Sequence, residues 1–400
     1  MVGVDQAMSE ALDWAGSGLA YLTGPIDGKP DFSRAAVLAE ARRVSTDIAG
    51  LLGLEVDAAA MLAGRAAILG LTRRGRISSG GATRLLRTVD GWCAVALPRD
   101  DDVEALPALM EAGAFAGDPW AVLSRWVATR STEEVVDRAR LLDIAVAALG
   151  EAAAEPPTVR RCGTSTGPRR ADGLLVADLS SLWAGPLCGQ LLARAGAVVV
   201  KVESPSRPDG TRRGEPAVFD WMNAGKLSYC LDFDSDSDAL HRLLDAADIV
   251  IEGSRPAALR RRGLTAEDLA GRTGRIWLRI SGHRDQPDRP AFGDDAAVAG
   301  GLVGAGADGP VFCGDAIADP LTGLEATRAV GESLRRGGGE VVEVSMAQVA
   351  ARYAALTQSA DSDAPTKSPT LPPAVPPASP LGADNAAVES LVSERLGAPC

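Results

Sequence analysis

Carboxylates and cations, rather than histidines or cysteines, are the residues of this chain whose types and spacing suit chemistry. Asp294 and Asp295 are adjacent, and neighbouring carboxylates raise one another's pKa, which suits proton transfer. The same pair also fits a helix start, where acids favour the positive dipole end. Asp319 stands directly before Pro320, a spacing that fits an N-cap followed by proline at the first helical position. Arg260, Arg261 and Arg262 form a basic triplet in an acidic chain. Alone it reads as a solvated helix face; just past the carboxyl end of a sheet it points to a phosphate. His241 falls within a surface helix, whereas His283 follows a strand at its carboxyl end. With two histidines and six scattered cysteines lacking any CxxC spacing, no structural zinc site and no bound metal is expected.

The net charge of -12 argues against nucleic acid or an anionic membrane as a principal partner. No apolar run reaches membrane-spanning length, and no basic n-region precedes an apolar core at the N-terminus. The expectation is a soluble cytoplasmic protein with reduced cysteines.

These residues need a frame. In Leu174–Gly185 an apolar run of strand length meets a loop, Pro186–Ala195 has helical spacing of leucines, and Val198–Val202 is rich in β-branched residues. Together they predict a β-α-β unit of a parallel sheet. Its first turn lacks the three-glycine dinucleotide fingerprint. Further strands are predicted at Ser228–Leu231, Ile249–Glu252, Ile276–Ser281 and Val341–Val344. Helices are predicted at Ser237–Ala246, Ala266–Ala270, Asp295–Gly301 and Pro320–Arg336. The alternation implies an α/β fold with a doubly wound, Rossmann-like parallel sheet. Two polar, proline-bearing stretches, Glu155–Arg170 and Ser359–Pro380, read as exposed linkers.

The expected organisation is a smaller α+β domain over 1–155, a linker over 156–172, the α/β domain over 173–358, a Pro-rich linker over 359–380 and a C-terminal tail helix over 381–400. In the first domain, helices are predicted at Ser33–Leu52, with Ser33 as N-cap and Gly53 as stop, and at Asp57–Leu69. Arg84–Thr88 and Trp92–Leu97 predict a hairpin around Asp90-Gly91. Helices at Pro119–Ala128 and Thr132–Leu149 follow.

Seven segments occur in order: DLSSLWAGPLCGQLLARAGAVVVKVESP, NAGKLSYCLDF, IEGSRPAALRRRGLTAEDL, RISG, DDAAVAGG, CGDAIADPLTG and GGGEVVEVS. Together they resemble family III (CaiB–BaiF type) CoA-transferases, the group that contains formyl-CoA transferase and the α-methylacyl-CoA racemases. The tail resembles the family's C-terminus. WAGSGLAYLTG, RISSGGATRLLRTVDGWCAVAL and RLLDIAVAALGE resemble parts of the family's small domain, including its glycine loop and final helix. The resemblance therefore implies a member whose small domain has moved to the front.

That resemblance implies roles. Asp319 corresponds to the aspartate that attacks an acyl-CoA thioester, giving an acyl-aspartyl anhydride and CoA thiolate; a second carboxylate then takes the acyl group and CoA is returned to it. Aligning Ala299-Gly300-Gly301 with the family's small-residue turn selects Asp294 as the second acidic residue, whereas matching its G-x-D selects Asp295. Gly80 and Gly81, in a shortened glycine loop, imply backbone donors for a tetrahedral oxyanion; a simple turn is the alternative. Positions implied for CoA are Trp183, Ala184, Leu231, Asp232, Asp234, Gly253, Ser254 and Arg261, with Lys226 and Arg255 adding charge. CoA is then a substrate, no cofactor is held permanently, and a homodimer whose protomers thread through each other is expected. The segment after Arg260–Gly263 reads Leu264-Thr265-Ala266-Glu267, without the racemase base histidine. The leading reading is CoA transfer between carboxylic acids. Racemisation, hydrolysis or a lyase step on the same scaffold, or a silent acyl-CoA-binding subunit of a heteromeric transferase, are the alternatives.

Overall fold

The computed structural model of the protein describes residues 2–113, 117–253, 256–269 and 271–397. Its strands, in chain order, are β1 (Thr83–Arg87), β2 (Trp92–Ala96), β3 (Ala145–Ala148), β4 (Thr158–Arg161), β5 (Leu175–Asp178), β6 (Val198–Glu203), β7 (Leu227–Cys230), β8 (Ile249–Glu252), β9 (Ile276–Ser281), β10 (Val303–Gly306), β11 (Gly309–Phe312) and β12 (Glu340–Ser345). Seven of them form one sheet in the order β4-β12-β9-β8-β5-β6-β7. All neighbours in it are parallel except β4, which pairs antiparallel with β12. The runs Leu175–Ala177 and Ile249–Ile251 are fully buried, as strands covered on both faces must be.

The chain moves outward from β5 to β6 and β7, then returns to place β8 on the other side of β5. The crevice beyond the carboxyl ends of β5 and β8 is therefore a topological switch point, where open α/β sheets bind ligands. Helices cover both faces. On one, Ala184–Arg194 and Ala318–Arg336 pack on the sheet around Leu187, Leu191, Leu321 and Leu324. On the other, Ser237–Ala246 and the tail helix Asn385–Gly397 pack through Leu240, Leu244, Val388 and Val392.

The N-terminal helices Ala36–Leu52 and Ala58–Leu69 are part of the same core as Ala318–Arg336, through Val44, Ile48 and Leu62. Gly53 ends the first of them at φ 68 and Asp57 caps the second by accepting from the Ala60 N–H at 3.2 Å. Ser33 is not a cap: its hydroxyl donates to Asp31 and the helix begins at Ala36. Strands β1, β2 and β3 make a separate antiparallel sheet whose core includes Val95, Leu106, Leu123 and Val146.

Three further expectations are corrected. The predicted helix Thr132–Leu149 stops at Leu141; Asp143 takes φ 56, and the following alanine-rich run pairs with β2 as β3. Residues 158–161, read as linker, add the sheet-edge strand β4. Residues 266–268 turn rather than forming a helix, Ala270 lying outside the described residues. Among the described residues no helix is long and apolar enough to cross a membrane.

Candidate active site

Asp319 sits at the second position of the 19-residue helix Ala318–Arg336. The expected capping role is corrected here: the chain is already helical at Ala318, so Pro320 is the third helical residue and Asp319 lies inside the first turn. Its N–H donates to the Ala316 carbonyl at 2.9 Å. Ala316 is held at φ 42, a left-handed conformation that is costly for a residue with a β-carbon and that clusters at functional sites. Its N–H donates to Asp294 Oδ1 at 3.1 Å.

Asp294 stands in the first turn of the helix Gly293–Ala299. Thr83 Oγ1 donates to its Oδ2 at 3.3 Å, and Ser78 also bonds its carboxylate. Asp294 thereby ties the glycine loop to the loop before Asp319. Asp295 is turned away into the core with no exposure. Its Oδ1 accepts from the Phe292 N–H at 2.8 Å, and Oδ2 has no partner among the described residues. Of the two acids that the sequence leaves open, Asp294 is the one that faces Asp319.

Arg65 completes the cluster. It is the one charged residue of the otherwise apolar helix Ala58–Leu69, and it donates through one guanidinium nitrogen to both oxygens of buried Asp315 at 2.8 Å. Its guanidinium also lies 5.5 Å from the centre of the Trp183 ring. Sequence reasoning missed this residue; its signal is a lone cation in an apolar helix, which needs an acid to be buried against.

Arg65, Trp183, Asp294, Ala316 and Asp319 line a cavity of about 210 Å³ together with Gly80, Pro98, Leu182, Trp221 and Phe292. Trp183 and Trp221 stand as a tilted pair, ring centres 6.5 Å apart. Leu182, like Ala316, has a left-handed φ (71). Its N–H donates to the Asp209 carboxylate at 3.1 Å, and Asp209 is held in turn by buried Lys201 at 2.8 Å.

Burial pushes the Asp319 carboxyl up to about 7; Arg65 opposes the shift, and the Asp294 and Asp315 charges add to it. Burial, then the Asp315 charge, pushes Asp294 up to about 6 against Arg65. Asp295 is pushed up to about 8 by burial. Both cavity acids thus titrate near neutrality, as groups exchanging between nucleophile, acid and base must.

Of the two glycines expected as oxyanion donors, Gly81 has its N–H committed to the Ser78 carbonyl at 2.8 Å. That part of the expectation is corrected. Gly80 lines the cavity, and among the described residues no acceptor takes its N–H.

The positions expected to hold CoA are scattered in character. Trp183 and Ala184 lie where β5 leads into its helix, and exposed Gly253 follows β8, so all three are at the switch point. Gly185 and Gly253 both crowd Ser180, where a β-carbon would lie 2.2 Å and 2.8 Å from its Cβ. Arg261 is exposed. Lys226 is corrected as a phosphate contact: it is buried, and its ammonium donates to Asp178, the Pro186 carbonyl and Asn223. Leu231 is a core residue, and Asp232 and Asp234 serve a turn, with Arg262 paired to Asp234. Ser254 and Arg255 lie outside the described residues. His283 is buried, with Nε2 unpartnered among the described residues, and burial lowers its pKa to about 3. His241 pairs with Asp245 on a surface helix. Among the described residues no group of three or more His, Cys, Asp or Glu is placed to hold a metal.

Residues 171–381 match the model of CoA-transferase family III. A succinyl-CoA–D-citramalate CoA-transferase of Chloroflexus aurantiacus is 33% identical over 199 residues, covering 45% of this chain and 50% of that relative. A probable fatty acyl-CoA transferase of Mycobacterium tuberculosis is 30% identical over 209 residues, covering 47% and 53%. A crystal structure of a hypothetical protein from Mycobacterium tuberculosis aligns with TM-score 0.42 at 31% identity, covering 46% of this chain and 56% of that one. The chain spans about half the length of the curated relatives it matches. The match runs over more than half of its residues, and the chain belongs to CoA-transferase family III.

Proposed function

We propose that the protein transfers CoA between an acyl-CoA and a free carboxylic acid, with Asp319 as nucleophile. The observation that carries this reading is Asp319 and Asp294 on one mostly apolar cavity, both with pKa values raised to near neutrality. In the first step the ionised Asp319 carboxylate adds to the thioester carbonyl. The new C–O bond forms, and the oxyanion is received by the Gly80 N–H. Collapse breaks the C–S bond, and CoA leaves as thiolate because that is a good leaving group. The anhydride has two electrophilic carbonyls. Thiolate addition at the aspartyl carbonyl releases the donor acid and stores CoA as an aspartyl thioester. The acceptor acid attacks this thioester, releasing the thiolate, which then takes the acceptor acyl group and frees Asp319. Asp294, whose ionisation midpoint lies near 6, is suited to exchange a proton with the departing or arriving acid.

The switch-point loops ending in Trp183 and Gly253 support CoA at this edge of the sheet, with exposed Arg261 a cation for its phosphates. The relatives' names cover succinyl-CoA, D-citramalate and fatty acyl groups. Family resemblance also supports a homodimer. The test is mass spectrometry of CoA esters after incubation of the full chain with an acyl-CoA and a second, isotopically labelled acid. Label in the new CoA ester is expected. Release of free CoA alone would replace transfer with hydrolysis.

A further inference from the structure

We infer that the acyl group handled by this cavity is a small apolar monocarboxylic one, branched aliphatic or aromatic, rather than a dicarboxylic or long-chain group. The inference rests on the transferase reading above and deepens it. Its apolar lining includes Pro98, Leu182, Trp183, Val218, Trp221 and Phe292, on the same cavity as Asp294 and Asp319.

Most polar side chains that face the cavity already have a partner; the neutral Trp183 indole N–H is a donor without one among the described residues. Thr83 and Ser78 bond Asp294, and Thr211 donates to Asp209. Arg65 is the one cation among the described lining residues, and it already holds Asp315 through both carboxylate oxygens. One arginine thus faces the ionised forms of three carboxylates, so the local charge balance is negative. A distal substrate carboxylate would enter this negative space with Arg65, already shared with Asp315, as its only cation among the described lining residues. Burying a charge so placed is strongly unfavourable. An aliphatic or aromatic group would instead gain contact with the two tryptophan faces.

Size gives the second limit. About 210 Å³ is below the roughly 300 Å³ at which pockets begin to hold drug-sized ligands. A branched five-carbon chain or a single phenyl ring suits that space, whereas most of a sixteen-carbon chain would have to lie outside it.

The experiment uses the full chain with succinyl-CoA, isovaleryl-CoA, benzoyl-CoA and palmitoyl-CoA. It measures kcat/KM for exchange with acetate and, separately, each ester's Kd for the Asp319→Asn protein. At least tenfold higher kcat/KM for isovaleryl-CoA or benzoyl-CoA than for the other two is expected, with Kd in the same order. Equal or better use of succinyl-CoA or palmitoyl-CoA overturns the inference. If no ester is turned over, the transferase reading fails. The Kd order still decides the acyl class: tighter binding of the small apolar esters upholds it, and any other order overturns it.

Discussion

Gly293 and Asp319 are packed so closely that a β-carbon on Gly293 would lie 2.3 Å from Asp319 Oδ2. The same atom would be 2.3 Å from the Ala316 carbonyl oxygen, so it cannot be accommodated by moving the carboxylate alone. Gly293 has no left-handed φ, which makes space, not backbone freedom, the reason for glycine here. Gly293→Ala is therefore expected to shift the nucleophile while leaving the sheet intact. A displacement of about 1 Å at a reacting group costs on the order of a hundredfold in rate. Steady-state kinetics should show that loss mainly in kcat, with CoA affinity by calorimetry nearly unchanged; a wild-type kcat would contradict the placement.

Asp319→Asn separates nucleophilicity from structure. Asparagine fills the same volume inside the first helical turn, so the folded state should keep its Tm within a few degrees. Turnover is expected to fall by at least about a thousandfold, because a neutral amide does not add to a thioester. In the unsubstituted protein, hydroxylamine added during turnover should convert Asp319 to a hydroxamate that peptide mass spectrometry can locate. Exchange at the unsubstituted rate in a folded Asn protein would remove Asp319 from the mechanism.

Much of the frame was legible because buried parallel strands carry a strong local signal. Ile249–Glu252 and Ile276–Ser281 are strands over the residues expected, since short apolar runs with β-branched and aromatic residues between polar turns have few alternatives. The run Ala145–Ala148 was not legible: alanine suits a helix, and only pairing with β2 makes it a strand. Site residues divide in the same way. Asp294 and Asp319 stand in short motifs that can be read locally. Arg65 and Trp221 reach the cavity only through packing of distant helices, and Trp221 does so by covering Gly64, whose β-carbon would lie 2.7 Å from its ring. Lys226 misled because a lysine near the sheet looks like added charge for a phosphate until buried Asp178 is seen beside it.

Arg65 should act on both stability and the pH profile. Arg65→Met leaves Asp315, whose side chain is 1% exposed, without its cation. Removing one partner of such a pair costs roughly 3 kcal/mol, which denaturant unfolding would read. Loss of the same cation removes the attraction that holds Asp319 down to about 7. The acid limb of the kcat/KM profile should then move to higher pH. Adding Asp315→Asn should recover stability and, because the Asp315 charge itself raises Asp319, return the profile of the Arg65 protein only part of the way. A profile that does not move in the single Arg65 variant would make Arg65 structural only.

Asp295 offers a pH-dependent stability test outside the proposed chemistry. Its carboxyl has one oxygen bonded to the Phe292 N–H and one without a partner among the described residues. Burial raises its pKa from 3.8 to about 8. In the unfolded chain it ionises near 3.8, so between about pH 4 and 8 the folded state binds more protons than the unfolded one. Stability contributed by the protonated form is then fully present below pH 4, declines as pH rises, and is gone above about 8. Asp295→Asn keeps an oxygen for the Phe292 N–H and supplies a group that cannot ionise. The Asn protein should match the parent in Tm near pH 4 and exceed it by several degrees near pH 8. Exchange activity should persist, since Asp294 and not Asp295 faces Asp319. Parallel Tm curves across that range would show that Asp295 is ionised when folded, and loss of exchange in the stable Asn protein would return it to the candidate catalytic residues.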